Sequence, residues 1–226
     1  MIFMAIYALS DLHLPLGIDK PMNVFGAGWE NYVERIEYNW KNTVSDEDFV
    51  IINGDFSWAT YLEESIADFS FIEKLPGTKL LSKGNHDYWW TTLAKLEKFK
   101  TEHEFSSVHF LQNNAFLCGD AAVCGTRGWI SPLDKNFKTE DEKIYMRELM
   151  RLEASLKAAA ELSETIVAAL HYPPDDTFVE LMVRYNVHCC VFGHLHGRKA
   201  AEYRTIYKNC SLVSADFLKF TPKLII

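Results

Sequence analysis

Basic residues are scarce in this chain: 23 lysines and arginines stand against 31 aspartates and glutamates, for a formal net charge of -8. Duplex nucleic acids are held mainly by cationic side chains that displace counterions, so this balance argues against a duplex partner. Long apolar runs are also missing. The stretch from Met1 to Leu9 is too short to span a bilayer, lacks a basic flank and ends before Asp11, so it reads as a buried strand and no membrane partner is expected. Cysteine is sparse and odd in number, five residues with no Cys-x-x-Cys pair, which excludes a disulfide framework and a thiolate zinc site. Reduced thiols without a signal peptide imply a reducing compartment, most simply the cytoplasm. Repeats, low-complexity tracts and Pro/Ser-rich linkers are absent as well, so residues 1–226 are expected to form one domain.

What the chain does have is core material, 48% apolar against 24% charged residues. Strand-like segments alternate with helical periodicities. Ile2 to Leu9, Phe49 to Asn53 and Lys79 to Ser82 are read as strands, with helices marked by Trp29, Val33, Ile36, Trp40 and Val44 and by Leu62, Ile66, Phe69 and Ile72. Ala115 to Cys118 and Ala121 to Gly125 flank Gly119-Asp120 as a hairpin. A long helix is predicted from Glu140 to Leu162, with Thr139 and Glu142 as its capping box. Thr165 to Leu170 and Val187 to Phe192 read as buried strands around a helix at Asp176 to Tyr185, and the tail from Ala201 as strands with a turn at Lys208-Asn209. Parallel and antiparallel pairing in one chain favours an α/β (α+β) four-layer sandwich, two mixed sheets face to face with helices outside, over one doubly wound sheet.

Polar residues with metal-binding atoms follow these strands: Asp11 and His13, Asp55 after Gly54, Asn85 with His86 and Asp87, His171, and His194 with His196 between Gly193 and Gly197. The ends of strands are where α/β proteins place their sites. Residues two apart in extended chain face one side, so Asp11 and His13 can reach one ion together. Carboxylate, imidazole and amide oxygen without thiolate suit Mn, Fe, Co, Ni or Zn.

Asp-Leu-His at 11 to 13, Gly-Asp at 54 to 55, Gly-Asn-His-Asp at 84 to 87, His171 and Gly-His-Leu-His at 193 to 196 resemble the motif blocks of the calcineurin-like metallophosphoesterases, in the order of that family. Two departures, Asn53 before Gly-Asp and Tyr172-Pro173-Pro174 after His171, remove no ligand position. The resemblance implies a sandwich of two mixed sheets and two divalent ions. One ion would lie on Asp11, His13, Asp55 and His196, and the other on Asp55, Asn85, His171 and His194. It further implies His86 as general acid, with Asp87 orienting its imidazole. A solvent molecule shared by two such ions attacks phosphorus in line with the leaving group, which gives hydrolysis of a small phosphorylated substrate, mono- or diester. A single-strand nuclease and a catalytically silent scaffold of the same fold are the alternatives.

Arg127 is a possible phosphate clamp or an ordinary ion pair, whereas Lys83 reads more readily as solvated. Trp58, Trp89, Trp90 and Trp129 follow motif residues and offer an aromatic wall for a substrate ring, with plain packing the more economical reading. His103, His109 and His188 lie outside every motif. The segment Leu14 to Gly28 is long for a connector.

Overall fold

A computed structural model of the chain describes residues 4–20, 22, 26–202 and 209–226. The strands are β1 (Ile6–Ala8), β2 (Phe49–Asn53), β3 (Thr78–Ser82), β4 (Val108–Phe110), β5 (Ala115–Cys118), β6 (Ala121–Thr126), β7 (Thr165–Leu170), β8 (Cys189–Phe192), β9 (Cys210–Leu212) and β10 (Lys223–Leu224). The helices are α1 (Tyr32–Thr43), α2 (Ile66–Glu73), α3 (Leu93–Glu102), α4 (Thr139–Ala160), α5 (Asp176–Arg184) and α6 (Gly197–Glu202).

Two five-stranded sheets form, in the orders β10-β1-β2-β3-β4 and β5-β6-β7-β8-β9. Within each sheet the neighbouring strands run parallel except at one edge, where β10 and β5 pair antiparallel. Burial on both faces explains why β2 and β7 read as continuous apolar runs. In β2, Ile51 points to the other sheet while Val50 and Ile52 pack beneath the helices; in β7, Val167 and Ala169 point inward and Ile166, Ala168 and Leu170 outward. Small side chains such as Ala8, Ala121 and Ala169 line the face between the sheets and let them approach closely. Tyr32, Ile36 and Trp40 of α1 cover one outer face, and Tyr145, Leu152 and Leu156 of α4 the other, which completes the four layers.

The two sheets are joined where their parallel strands end. Ser10, past β1, bridges Ser214, past β9, and the Asn53 side chain at the end of β2 donates to the Leu170 carbonyl at the end of β7. Both sets of C-terminal strand ends therefore open onto one rim. Two expectations need correction. Ala201 and the residue after it end a helix, α6, rather than opening a strand, while Lys208 lies outside the described residues. The capping acid of α4 is Asp141, whose carboxylate accepts from the Lys138 backbone N–H at 2.8 Å, one residue earlier than the Thr139 and Glu142 pair. Tryptophan explains the shift, because Trp129 Nε1 also donates to Asp141, at 2.9 Å.

Candidate metal centre

Asp11 and His13 follow β1, Asp55 follows β2, Asn85 follows β3, His171 follows β7, and His194 and His196 follow β8. Four of these residues, Asp11 (φ 57°), His13 (φ 47°), Asp55 (φ 50°) and His194 (φ 69°), sit in the left-handed region that side chains ordinarily avoid. These turns aim successive side chains into one space and are held there by tertiary bonds: Tyr32 Oη donates to the His13 carbonyl at 2.7 Å, and the His194 N–H donates to Asp11 Oδ1 at 3.0 Å. Glycine is needed beside them for clearance. A Cβ on Gly84 would lie 2.1 Å from Asp55 Oδ1, and one on Gly193 would lie 2.2 Å from Asp11 Oδ2.

The side chains meet in two groups, Asp11 with His13 and His196, and Asp11 with Asp55 and His171. His13 Nε2 is 3.4 Å from His196 Nε2, which in turn is 3.5 Å from Asp11 Oδ1. In the second group His171 Nε2 is 3.4 Å from Asp55 Oδ2 and 2.7 Å from Asn85 Oδ1, an oxygen that also lies 2.8 Å from His194 Nδ1. Ligands about 2.1 Å from one tetrahedral ion are about 3.4 Å apart, so these spacings fit shared cations.

The outer hydrogen bonds select the tautomers this requires. His196 Nδ1 faces Asp216 Oδ1 at 2.9 Å and His171 Nδ1 faces the Asn53 carbonyl at 3.1 Å, so each of those nitrogens carries the proton and each Nε2 presents a lone pair inward. Facing donor atoms of this kind need a positive charge among them, either a proton on His196, which Asp11 and Asp216 favour, or a metal cation in its place. His13 Nδ1 is buried with no hydrogen-bond partner among the described residues, so its ring takes no orientation from hydrogen bonding; the Trp58 indole stacks on it at 4.5 Å instead.

Burial pushes the His171 imidazole down to about 3 and His194 to about 4, and holds His13 well below its ordinary value, leaving neutral rings suited to coordination. His196 goes the other way: burial lowers it, but the bonds to Asp11 and Asp216 and their charges push it up to about 10, so a metal ion there has a proton to displace. Burial, then the charges of Asp11 and Asp87, push Asp55 up to about 9. Burial acts on Asp11 in the same upward sense, but the His196 bond and the imidazoles around it hold its carboxyl below the usual range. A divalent cation between two such carboxylates relieves their mutual repulsion. Residues and group therefore fit.

A cavity of about 560 Å³ opens over these donors, with His86, Lys20, Trp29, Trp58 and Tyr88 in its walls. His86 is half-buried, its ring centroid 5.8 Å from that of His13 and 4.9 Å from that of Trp58, and its backbone N–H donates to Asp55 Oδ1 at 2.7 Å. Of the proposed aromatic wall only Trp58 faces this space, joined by Trp29 and Tyr88. Trp89 is buried against Asp87 and Phe69, Trp90 donates to Gln112, and Trp129 lies under Arg127.

Asp87 is placed for a different task from the one expected. Its carboxylate accepts from the backbone N–H groups of Gly84 at 2.7 Å and of Asp55 and Phe56 at 2.9 Å each, and from Trp89 Nε1 at 3.1 Å; among the described residues it makes no bond to the His86 ring. It binds the β2 and β3 loops together. Arg127 is likewise outside the larger cavity, 3.6 Å from Glu148 and stacked 4.2 Å above Trp129. Asp216 joins this site through His196 although motif spacing did not reveal it, since it stands 20 positions from His196 in a segment without glycine punctuation.

The model of the calcineurin-like phosphoesterase family matches residues 4–198. Among curated proteins none matches the chain. Among solved structures, the Aquifex aeolicus protein of unknown function AQ665 is similar at a TM-score of 0.54 and 16% identity, over 98% of this chain and 96% of that one. GAP50, described as the anchor in the inner membrane complex of Plasmodium, is similar at a TM-score of 0.51 and 14% identity, over 94% of this chain and 72% of that one. At these identities the likeness concerns the fold. Among the described residues no helix is long and apolar enough to cross a membrane.

Proposed function

The chain belongs to the calcineurin-like phosphoesterase family, and from that premise we propose that it is a metal-dependent hydrolase of phosphate esters. The observation that carries this reading is the convergence of Asp11, His13, Asp55, His171 and His196 beneath an open cavity, with Asn85 and His194 at the same point. Asp11, His13 and His196 would hold one divalent ion, and His171, Asn85 and His194 another, with Asp55 placed between the two sets. When bound, such ions polarise a phosphoryl oxygen and supply hydroxide near neutral pH.

The chain's own residues do the rest. His86 lies in the cavity wall outside both donor groups and is the acid that protonates the departing oxygen. Burial, then the charge of Lys20, lowers its pKa, and the negative charge of an arriving phosphate opposes that shift. The peptide N–H of His86 on Asp55 couples the position of the acid to that of the metal donors. Trp29 and Trp58 reduce water access on one side.

The test is metal content by elemental analysis, alongside turnover of a nitrophenyl phosphodiester and its monoester with Mn, Fe, Co, Ni and Zn. Turnover of either ester supports the reading. A fully loaded protein that turns over neither refutes it and favours a scaffold, the kind of role that the description of GAP50 as an anchor assigns to that protein.

A further inference from the structure

A second cavity, of about 210 Å³, is faced by Lys83, Arg127, Arg151 and Glu148 and shares no lining residue with the first. Three cations against one carboxylate leave a net charge of +2. The carboxylate is fully engaged: Glu148 is buried, Arg151 Nη1 lies 2.6 Å from Oε1, and the Thr126 hydroxyl donates to Oε2. The other two cations have spare donors. Arg127 approaches Glu148 no nearer than 3.6 Å, its Nε is buried without a partner among the described residues, and it stacks on Trp129. Among the described residues Lys83 Nζ has no hydrogen-bond acceptor.

Cationic donors with unfilled hydrogen bonds around a part-enclosed cavity are what oxyanion recognition requires. The volume equals roughly seven waters at about 30 Å³ each, enough for a phosphate or carboxylate group and too little for a whole drug-sized ligand. The place is equally informative. Lys83 directly precedes Gly84 and Asn85, and the Arg127 carbonyl accepts from the His171 N–H at 3.0 Å, so these two of the three cations are each a short step of backbone from a candidate metal donor.

We propose that this cavity is an anion subsite, faced by Lys83, Arg127 and Arg151, that takes a second phosphate carried by the substrate while the scissile one lies at the metal centre. This rests on the phosphoesterase reading and narrows it to substrates with two phosphate groups. A simple monophosphate would leave the subsite unfilled.

The experiment uses the full chain loaded with manganese, as wild type, Lys83→Met and Lys83→Arg. Because Lys83 has no acceptor to abandon, its replacement by methionine leaves no buried carboxylate unpaired. Calorimetric titration with inorganic phosphate should show two equivalents bound to wild type and to Lys83→Arg. In Lys83→Met one equivalent should weaken about 10-fold or more, the loss expected for one charge-assisted bond. In turnover, wild type should prefer an alkyl bisphosphate to the corresponding monophosphate in kcat/KM, and Lys83→Met should lose that preference about 10-fold. Two equivalents of unchanged affinity in Lys83→Met would overturn the subsite, as would a wild type indifferent to the second phosphate. Loss of the equivalent without turnover of either ester in any variant would instead overturn the phosphoesterase reading and leave a regulatory anion site.

Discussion

Replacing Asp216 by asparagine isolates what an outer carboxylate contributes to the metal centre. Asp216 Oδ1 receives the His196 Nδ1 proton at 2.9 Å while Oδ2 receives the Gly197 N–H at 3.0 Å, so one side chain fixes both the ring and the start of α6. Asparagine has one acceptor oxygen. If it serves the imidazole, its amino group faces the Gly197 N–H; if it serves Gly197, the ring loses its orientation and the negative charge that makes Nε2 a stronger donor. Outer-shell partners of this kind are worth about 10- to 100-fold in metal affinity, or about 1.4 to 2.7 kcal/mol. The same range follows from losing one hydrogen bond to a charged group, about 1.5–3 kcal/mol. Only the ion on His196 should be affected. Competition against a chromogenic chelator should therefore show one of two ions released 10- to 100-fold more readily, with the other unchanged. Wild-type affinity for both ions in Asp216→Asn would refute the reasoning, and the ring would then be held by its packing on Trp29 and His13 alone.

Other substitutions separate the remaining roles. His86→Ala should keep both ions and lose roughly 10²- to 10⁴-fold in kcat on an alkyl ester but far less on a nitrophenyl ester, and equal losses on both would dismiss it as the acid. Asp87→Asn should lower the unfolding midpoint in urea, because a carboxamide turns its amino group toward donor N–H groups at a cost of about 1–3 kcal/mol for each one left unpaired, and an unchanged midpoint would contradict the clamp. Asp68 gives the pH dependence: burial, opposed by bonds from the Ser57 hydroxyl and the Leu16 N–H, pushes its carboxyl from 3.8 up to about 7. Between these values the folded chain holds a proton that the unfolded chain releases, so stability falls as pH rises through about 4 to 7, by up to about 4 kcal/mol. Urea midpoints of wild type and Asp68→Asn measured at both ends of that window should differ by this slope, and parallel curves would show that Asp68 titrates normally.

How much of this was readable from the sequence depends on the range of the forces involved. The strands β2 and β7 were legible because burial on both faces leaves a continuous apolar run, and β7 begins and ends where its composition says, whereas β3 was marked by Leu80-Leu81 and the stop at Lys83-Gly84. The β5–β6 hairpin was legible from a two-residue turn. The tail was read as strands and holds two, β9 and β10, but the pairing of the exposed β10 with β1 has no local signature, and α3 was not anticipated although Leu96 and Phe99 bury one face of it. The seven candidate donors that the motifs named come together because they sit, singly or in pairs, just past five parallel strands whose ends open onto one rim. Asp87 was misread for a related reason: adjacency to His86 in the chain suggested contact, whereas the turn after Gly84 sends the carboxylate inward to the loop amides and the imidazole outward to the cavity.

Strain explains why the donors can be found in sequence while their supports cannot. A residue in the left-handed region costs about 1 kcal/mol or more, and Asp11, His13, Asp55 and His194 all adopt it within one rim. Such a conformation persists only where surrounding structure over-determines it. Here the restraint comes from afar: Tyr32 on the His13 carbonyl, Asp87 on the Asp55 N–H, and Asp11 on the His194 N–H across 183 positions of sequence. Four of the donors, Asp55, Asn85, His194 and His196, have a glycine next to them in the chain and so leave short motifs. The groups that hold them need only a hydrogen-bonding atom in the right place, which the fold can draw from any part of the chain. A rim held this way by the protein's own hydrogen bonds leaves a bound ion little bending of the backbone to impose.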